Sequence, residues 1–456
     1  MARLTWLSSM LAVCFLGLQF AEQKSRAADA AGVPRYSLKV GQQINYKGTS
    51  DSKYSEGKGS FSFGYNTDWT VWVVKTNDDG SHRIVIRALQ KMRRDGKSVG
   101  GGRSTFVYCD VYPDGRITSN PSVGYALDPS SLFPQLPENA AQEKSGWEAL
   151  RDRDEGRSTF KTVGKPKADA FAFEEVRKSL MDEIYLGTHD SKITFDKKRG
   201  LVSQVKSENA QGYGNGKGTS TLELVSVKPS PEPVAQLWEQ ADRYFQATHL
   251  YEEKTEQAAK NTKSSKKLVD EAKTLLTDAE SKVTLPMFKD QLKQQVKEHD
   301  QMARYIAEEA ARRAKIVGHP AAEWQAPDLA GKTHSLKDYR GKVVILDFWY
   351  RGCGWCMRAM PQMKQLSAEF RGQPVVVLGM NTDRKEEDAK FVVKKMGLDY
   401  STLKIEKELP GKYGVQGFPT LIIIDQRGNV HDMHVGYSPT LQREVGETVR
   451  QLLAKG

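Results

Sequence analysis

A chain of 456 residues is longer than one ordinary domain, so two or three domains are expected. With 38% hydrophobic and 27% charged residues it can build packed cores, which excludes a broadly disordered protein. The net charge of +11 is dispersed in short runs beside glycines, such as Arg93-Arg94 and Lys197-Lys198-Arg199, a pattern of solvated turns that argues against a nucleic-acid partner.

In chain order, the first feature is an apolar stretch from Leu4 to Phe20 behind Arg3, followed by Ala28-Asp29-Ala30 in the small-x-small form of a cleavage site. Residues 1–30 are therefore expected to be a signal peptide, cleaved on export to the periplasm or cell envelope. The alternative is an uncleaved anchor, although the run is short for a full membrane span. Of the four cysteines, cleavage removes Cys14 and leaves Cys109, Cys353 and Cys356. That is not a disulfide-stapled scaffold. A zinc site needs two more ligands than one C-x-x-C supplies, so neither a metal nor another cofactor is expected. Cys109 lies on a β-like segment and reads as a small core residue.

Residues 31–230 read as an all-β domain of unassigned function. Trp69-Thr70-Val71-Trp72-Val73-Val74, the turn Asn77-Asp78-Asp79-Gly80 and the return Arg83 to Arg87 form a hairpin signal. Phe106 to Tyr112 with Pro113-Asp114-Gly115-Arg116 repeats it, as do Ile193 to Asp196, Lys197 to Gly200 and Leu201 to Val205. The strand Thr221 to Val227 closes the region. A twisted antiparallel sheet, as a sandwich or open barrel, is expected, with one short helix over 171–179. Pro231-Glu232-Pro233 marks a boundary. Residues 231–316 then carry helical periodicity, for example Leu237, Ala241 and Phe245, with breaks at Asn261 to Ser265 and Leu285-Pro286. Two or three helices acting as a spacer or interaction module are expected there.

From Val317 to Gly456 the texture is α/β. Val343 to Trp349 is a largely apolar run that suits a buried central strand, and Cys353-Gly354-Trp355-Cys356 follows at once. Met360, Met363, Leu366 and Phe370 stripe one face, so a helix starts at the motif. Pro374 to Met380 and Thr420 to Asp425 read as further strands, Glu386 to Met396 and Leu441 to Leu453 as helices, and Val430 to Val435 as a returning strand. Strand, C-x-x-C, helix sets Cys353 at a helix N-terminus, where unpaired N–H groups and the positive dipole end favour the thiolate. Cys353 is accordingly expected to attack a disulfide and Cys356, three residues on, to resolve the mixed disulfide. Trp355 offers an apolar face to a peptide. Asp347, on the apolar strand, is read as a buried proton shuttle for Cys356, or alternatively as a carboxylate satisfied at the strand end. Phe418-Pro419 opens a buried strand, where a residue lacking an N–H needs explanation. One explanation is a cis peptide whose Phe418 backbone pairs with substrate, and the other is a trans turn proline.

This segment resembles the thioredoxin-like domains of the TlpA/ResA and AhpC/TSA-related thiol–disulfide oxidoreductases. The resemblance rests on an ordered set: Ala326-Pro327-Asp328-Leu329, Gly331-Lys332, Ser335 to Lys342, Asp347-Phe348-Trp349, the C-x-x-C, Pro361, Gly417-Phe418-Pro419-Thr420, and Ile424-Asp425 with Gly428. It implies a thioredoxin fold, Cys353 as nucleophile, Cys356 as resolver and Pro419 as a cis-proline. The implied partners are protein thiols and disulfides of the cell envelope, with a membrane electron donor or acceptor; whether the substrates are apocytochrome thiols, wrongly paired disulfides or another partner is left open. Three positions depart from the family pattern: the Gly354-Trp355 dipeptide, Tyr350-Arg351-Gly352 ahead of the motif, and Ala359 where many envelope members carry a glutamate. The dipeptide leaves the direction of electron flow open. Peroxidase chemistry would need Thr-x-x-Cys, and Tyr350 holds that position. Copper delivery through His431, Met433 and His434 suffers because positions three apart on a strand face opposite sides. A reading of another class makes the β domain a ligand-binding module with an auxiliary redox domain.

Overall fold

The computed structural model describes residues 32–456 apart from 57–58, 120–127, 152–155, 165–166, 179–183, 185–186, 212–215, 262 and 456. The signal peptide expected over residues 1–30 lies outside the described residues. The chain divides into two compact units, one up to Phe245 and one from Gln246.

Among the described residues, the first unit forms one antiparallel sheet of eleven strands. These are β1 Gln42–Glu56, β2 Gly59–Thr76, β3 His82–Arg94, β4 Lys97–Val111 and β5 Ile117–Ser119, then β6 Trp147–Arg151, β7 Gly156–Thr162, β8 Ala170–Lys178, β9 Thr188–Asp196, β10 Leu201–Gln211 and β11 Gly216–Pro229. A short helix, α1 Ala140–Ser145, precedes β6. The order β5-β4-β3-β2-β1-β11-β10-β9-β8-β7-β6 makes two meanders joined where β1 pairs with β11. Among the described residues, every strand of this unit belongs to one hydrogen-bonded antiparallel sheet, as expected for the β domain. The expected hairpins are present: Asn77-Asp78-Asp79-Gly80 joins β2 to β3, and Lys197 to Gly200 joins β9 to β10.

The helix expected over 171–179 is instead strand β8. Its residues alternate, with Phe171, Phe173 and Glu175 buried and the residues between them partly or fully exposed. Phe171 and Phe173 pack with Trp147 and Phe160. Burial of aromatics at period two overrides the helical preference of the intervening Ala and Glu.

Three helices follow: α2 Val234–Lys260, α3 Ser265–Lys282 and α4 Pro286–Ile316. The breaks fall where the polar run at 261–264 and Leu285-Pro286 place them, with Pro286 in the first turn of α4, where its missing N–H costs nothing. Within the first unit, the start of α2 lays Trp238, Tyr244 and Phe245 against Phe106 and Tyr108 of β4.

The second unit carries a mixed five-stranded sheet in the order β16-β15-β14-β17-β18. Ahead of it a small hairpin pairs β12 Gln325–Pro327 with β13 Thr333–Ser335. The sheet strands are β14 Val343–Trp349, β15 Val375–Asn381, β16 Thr402–Lys404, β17 Thr420–Ile424 and β18 Val430–Val435. They are interleaved with α5 Gly354–Glu369, α6 Glu386–Met396, the short α7 Leu409–Lys412 and, after β18, α8 Leu441–Lys455. β14 is parallel to β15 and antiparallel to β17. All seven residues of β14 are buried, because both faces of the sheet are covered. Val344, Leu346 and Phe348 enter one core with Trp324, Leu336 and Tyr413. Val343 and Ile345 enter the other with Ala359, Met363 and Leu366 of α5 and Val445 and Val449 of α8. The end of α4 is tied to this sheet. Arg313 pairs with Asp432, and Gly318 donates from its backbone N–H to the Val430 carbonyl.

Phe173 is fully buried among other aromatics, whereas Phe61 is 41% exposed. Phe173→Ala is expected to cost the first unit about 3–5 kcal/mol, and Phe61→Ala less than about 1 kcal/mol. Urea denaturation of the full-length variants measures the difference.

Candidate active site

Strand β14 delivers the chain to the redox centre. After Trp349, a turn pinned from two sides leads to the cysteines. The Arg351 backbone N–H donates to both carboxylate oxygens of Asp383, at 3.0 and 3.1 Å, and Asn381 Nδ2 holds the same carboxylate at 2.8 Å. The Arg351 guanidinium pairs with Asp388 at 2.9 Å and lies 4.2 Å over the Phe391 ring. Tyr350-Arg351-Gly352 is thus anchored to the β15–α6 segment. Burial holds the Asp383 carboxyl above its ordinary value, against the lowering effect of these hydrogen bonds.

Cys353 is the N-cap of α5, and its sulfur accepts the backbone N–H of Cys356 at 3.0 Å. Cys353 and Cys356 are joined as a disulfide. Cys353 is 5% exposed and Cys356 1%, so the N-terminal sulfur is the more accessible of the two. The first-turn N–H groups and the positive end of the helix dipole act on Cys353, and their effect fades within one turn.

Asp347 lies in β14 on the same side as Val343 and Ile345, the face covered by α5. Desolvation pushes its carboxyl from the ordinary 3.8 up to about 7, with a hydrogen bond from Tyr400 pulling the other way. That bond is long: Tyr400 Oη donates to Oδ2 at 3.5 Å, and Oδ1 has no partner. Burial, and after it the same carboxylate, drives the Tyr400 hydroxyl well above its usual value. Two further buried polar atoms without a partner, Trp349 Nε1 and Thr402 Oγ1, flank Gly379, the residue paired with Asp347 across the sheet. A Cβ on Gly379 would meet them at 2.9 and 2.8 Å, so the position accepts no side chain without local movement.

The Phe418–Pro419 peptide is cis. It directly precedes β17, whose Thr420 pairs with Phe348 of β14. The Gly436 N–H donates to the Pro419 carbonyl at 2.8 Å. The Phe418 ring meets Tyr350 edge-on at 5.2 Å, which brings the proline loop beside the turn that holds Cys353. Trp355 is 45% exposed and stacks on Tyr437 at 5.7 Å, with the Arg358 guanidinium 4.9 Å over its ring. The structure thus groups Cys353, Trp355, Cys356, Phe418 and Pro419 at one end of the sheet, with Asp347 below them in β14. Tyr400 and Tyr437 were not legible in the sequence, since each meets its partner across a long stretch of chain and belongs to no motif. Tyr350 stood out only as a departure from the family pattern. His434 is buried, with Nε2 3.1 Å from Asp432, and His431 is exposed. Among the described residues, no three His, Cys, Asp or Glu side chains gather as a metal site.

A mixed sheet covered by helices, with a cysteine pair capping the helix after its central strand and a cis-proline beside it, defines a thioredoxin-fold thiol–disulfide oxidoreductase. Comparison with known proteins agrees. Residues 317–433 match the AhpC/TSA family. Over 124 residues the chain is 33% identical to thiol-disulfide oxidoreductase ResA of Geobacillus thermodenitrificans, covering 27% of this chain and 71% of that protein. It is 31% identical over 121 residues to thioredoxin-like protein YneN of Bacillus subtilis, covering 26% and 71%. The thioredoxin domain of a thiol-disulfide oxidoreductase from Bacteroides vulgatus is 28% identical, with 29% of this chain and 97% of that one covered and a TM-score of 0.28. Through its C-terminal third, the chain belongs to the AhpC/TSA family of thiol–disulfide oxidoreductases and is an enzyme of that class.

The raised Asp347 carboxyl makes stability depend on pH. Below about pH 4 the group is neutral in the folded and unfolded chain alike. Between about pH 4 and 7 the unfolded chain loses the proton while the folded one keeps it, so stability falls as pH rises, by about 4 kcal/mol in all. Asp347→Asn removes this dependence. Denaturation at several pH values is expected to show the variant gaining on the native protein from pH 4 to 7. A constant difference across that range would contradict the buried, neutral carboxyl.

Proposed function

We propose that the protein is an exported thiol–disulfide oxidoreductase acting on protein thiols and disulfides of the cell envelope. The observation that carries the reading is the position of Cys353: it caps α5, is the more exposed cysteine, and is bonded to Cys356 one turn on. In the reduced enzyme, the Cys353 thiolate attacks a substrate disulfide, forming a Cys353–substrate bond and releasing one substrate thiolate. Cys356, deprotonated by Asp347, then attacks the Cys353 sulfur, and the second substrate sulfur leaves. Two electrons pass to the substrate, and the enzyme is left as the Cys353–Cys356 disulfide. The reverse sequence oxidises a substrate dithiol. Trp355, Phe418 and Pro419 hold the substrate chain across the attacking sulfur. A membrane electron donor or acceptor resets the pair, and apocytochrome thiols are among the substrates that fit this chemistry. Export is supported by the apolar stretch Leu4 to Phe20 and Ala28-Asp29-Ala30. Among the described residues, no helix is long and apolar enough to cross a membrane.

The domain organisation we propose is a signal peptide over 1–30, the β domain over 31–230, a helical spacer over 231–316 and the redox domain over 317–456. A second reading makes the β domain a ligand-binding module that the redox domain serves. A cavity of about 460 Å³ in the first unit favours it, with Arg116, Phe133, Phe160 and the buried Glu175 in its wall.

Cys353→Ser is expected to abolish reduction of a disulfide substrate. Cys356→Ser should accumulate a mixed disulfide at Cys353. Undiminished turnover in Cys353→Ser would overturn the redox reading, whereas loss of cellular function only on removal of residues 31–230 would favour the binding one.

A further inference from the structure

A cavity of about 380 Å³ lies between the helical segment and the redox sheet, within the second unit. Ala259 of α2 and Tyr305 of α4 form one wall, and Val435, Tyr437, Pro439 and Leu441 the other. Three of its lining residues, Val435, Gly436 and Tyr437, touch the redox centre directly. Val435 pairs with Thr420, the residue after the cis-proline. The next residue, Gly436, donates to the Pro419 carbonyl, and Tyr437 stacks on Trp355 of the C-x-x-C. The cavity wall is therefore one residue contact away from Trp355, within reach of a chain held at Cys353.

The charges in the wall are paired, among themselves or with neighbours behind the wall. Lys260 lies 2.7 Å from Glu256 and 3.5 Å from Glu444. Arg313 pairs with Asp432, which also lies 3.1 Å from His434, and Glu309 pairs with Arg312. A charged group entering the cavity would lose hydration and would have to compete with these internal pairs for a counter-charge. An apolar group would cover Tyr305 and Val435, which are 56% and 49% exposed. Exposed apolar and aromatic surface beside a reactive cysteine stabilises a ligand that brings its own apolar surface.

We propose that this cavity is a specificity pocket for the substrate protein, taking an uncharged aliphatic or aromatic side chain that flanks the cysteine under attack. The helical segment thereby contributes to substrate choice and is more than a spacer. This inference rests on the proposed function and names the class of sequence that the redox centre selects. The occupant is an extended or unfolded segment of the substrate, because a cysteine and its neighbour must reach Cys353 and the pocket together.

The test uses the full-length reduced enzyme with a small-molecule disulfide and with paired disulfide-linked peptides. Within each pair, leucine or aspartate occupies the same position near the cysteine, and the flanking positions are scanned in turn. At one position the leucine peptide is expected to react with about ten-fold higher kcat/KM, the gain from burying one apolar side chain. Tyr305→Ala and, independently, Val435→Asp should reduce that ratio to below about two-fold. An equal rate for both peptides at every position, or a ratio that survives both variants, would overturn the pocket while leaving the oxidoreductase intact. Failure of the native protein to exchange with the small disulfide would overturn the proposed function itself and this inference with it.

Discussion

A strand buried along its whole length must surrender its last backbone groups at the edge of the sheet, and β14 does so within four residues of Cys353. This constraint organises the second unit. Parallel pairing with β15 and antiparallel pairing with β17 require apolar cover on both faces, which α5 and α8 supply on one side and Trp324, Leu336 and Tyr413 on the other. Because α5 must begin immediately after β14 to cover that face, its N-terminus and its unpaired N–H groups lie at the sheet's end. A sulfur placed there sits where negative charge is stabilised. The Asp383 carboxylate fixes the connecting turn through the Arg351 N–H, so the cap is held by the β15–α6 segment as well as by its own helix. The reactive position is a consequence of packing, and the chemistry of the cysteine follows from the position.

The same burial that covers β14 makes Asp347 expensive. A carboxyl with one long hydrogen bond and one unpartnered oxygen holds its proton up to about pH 7. Such a group destabilises the fold whenever it ionises, and it gains or loses a proton in the range where thiol chemistry works. The unpartnered Trp349 Nε1 and Thr402 Oγ1 near Gly379 belong to the same poorly satisfied region. Natural folds concentrate such local conflicts at functional sites, which is where this one lies.

How much of this was legible in the sequence depended on the range of the interactions. The strands and helices of the redox domain were readable because their apolar patterns are local, and the helix start at the C-x-x-C fell where the Met360-Met363-Leu366 stripe put it. The single β8 error shows the limit: Phe171 and Phe173 are read as strand only when their aromatic partners Trp147 and Phe160 are known. The small hairpin of β12 and β13 and the short β16 carry too few residues for a period to emerge. Tyr400 under Asp347 and Tyr437 against Trp355 are meetings across the fold that no local pattern announces. The helical segment was legible as helix, but its wall beside the redox centre appears only once α4 is tied to β18 by Arg313 and Asp432.

The redox centre depends most on a difference between two cysteines one helical turn apart. The direct measurement is the pH dependence of alkylation of each thiol in the reduced full-length protein, resolved by mass spectrometry of the labelled peptides. The helix-terminus position predicts that Cys353 becomes reactive at a lower pH than Cys356. Equal values for the two, or the lower value at Cys356, would contradict it.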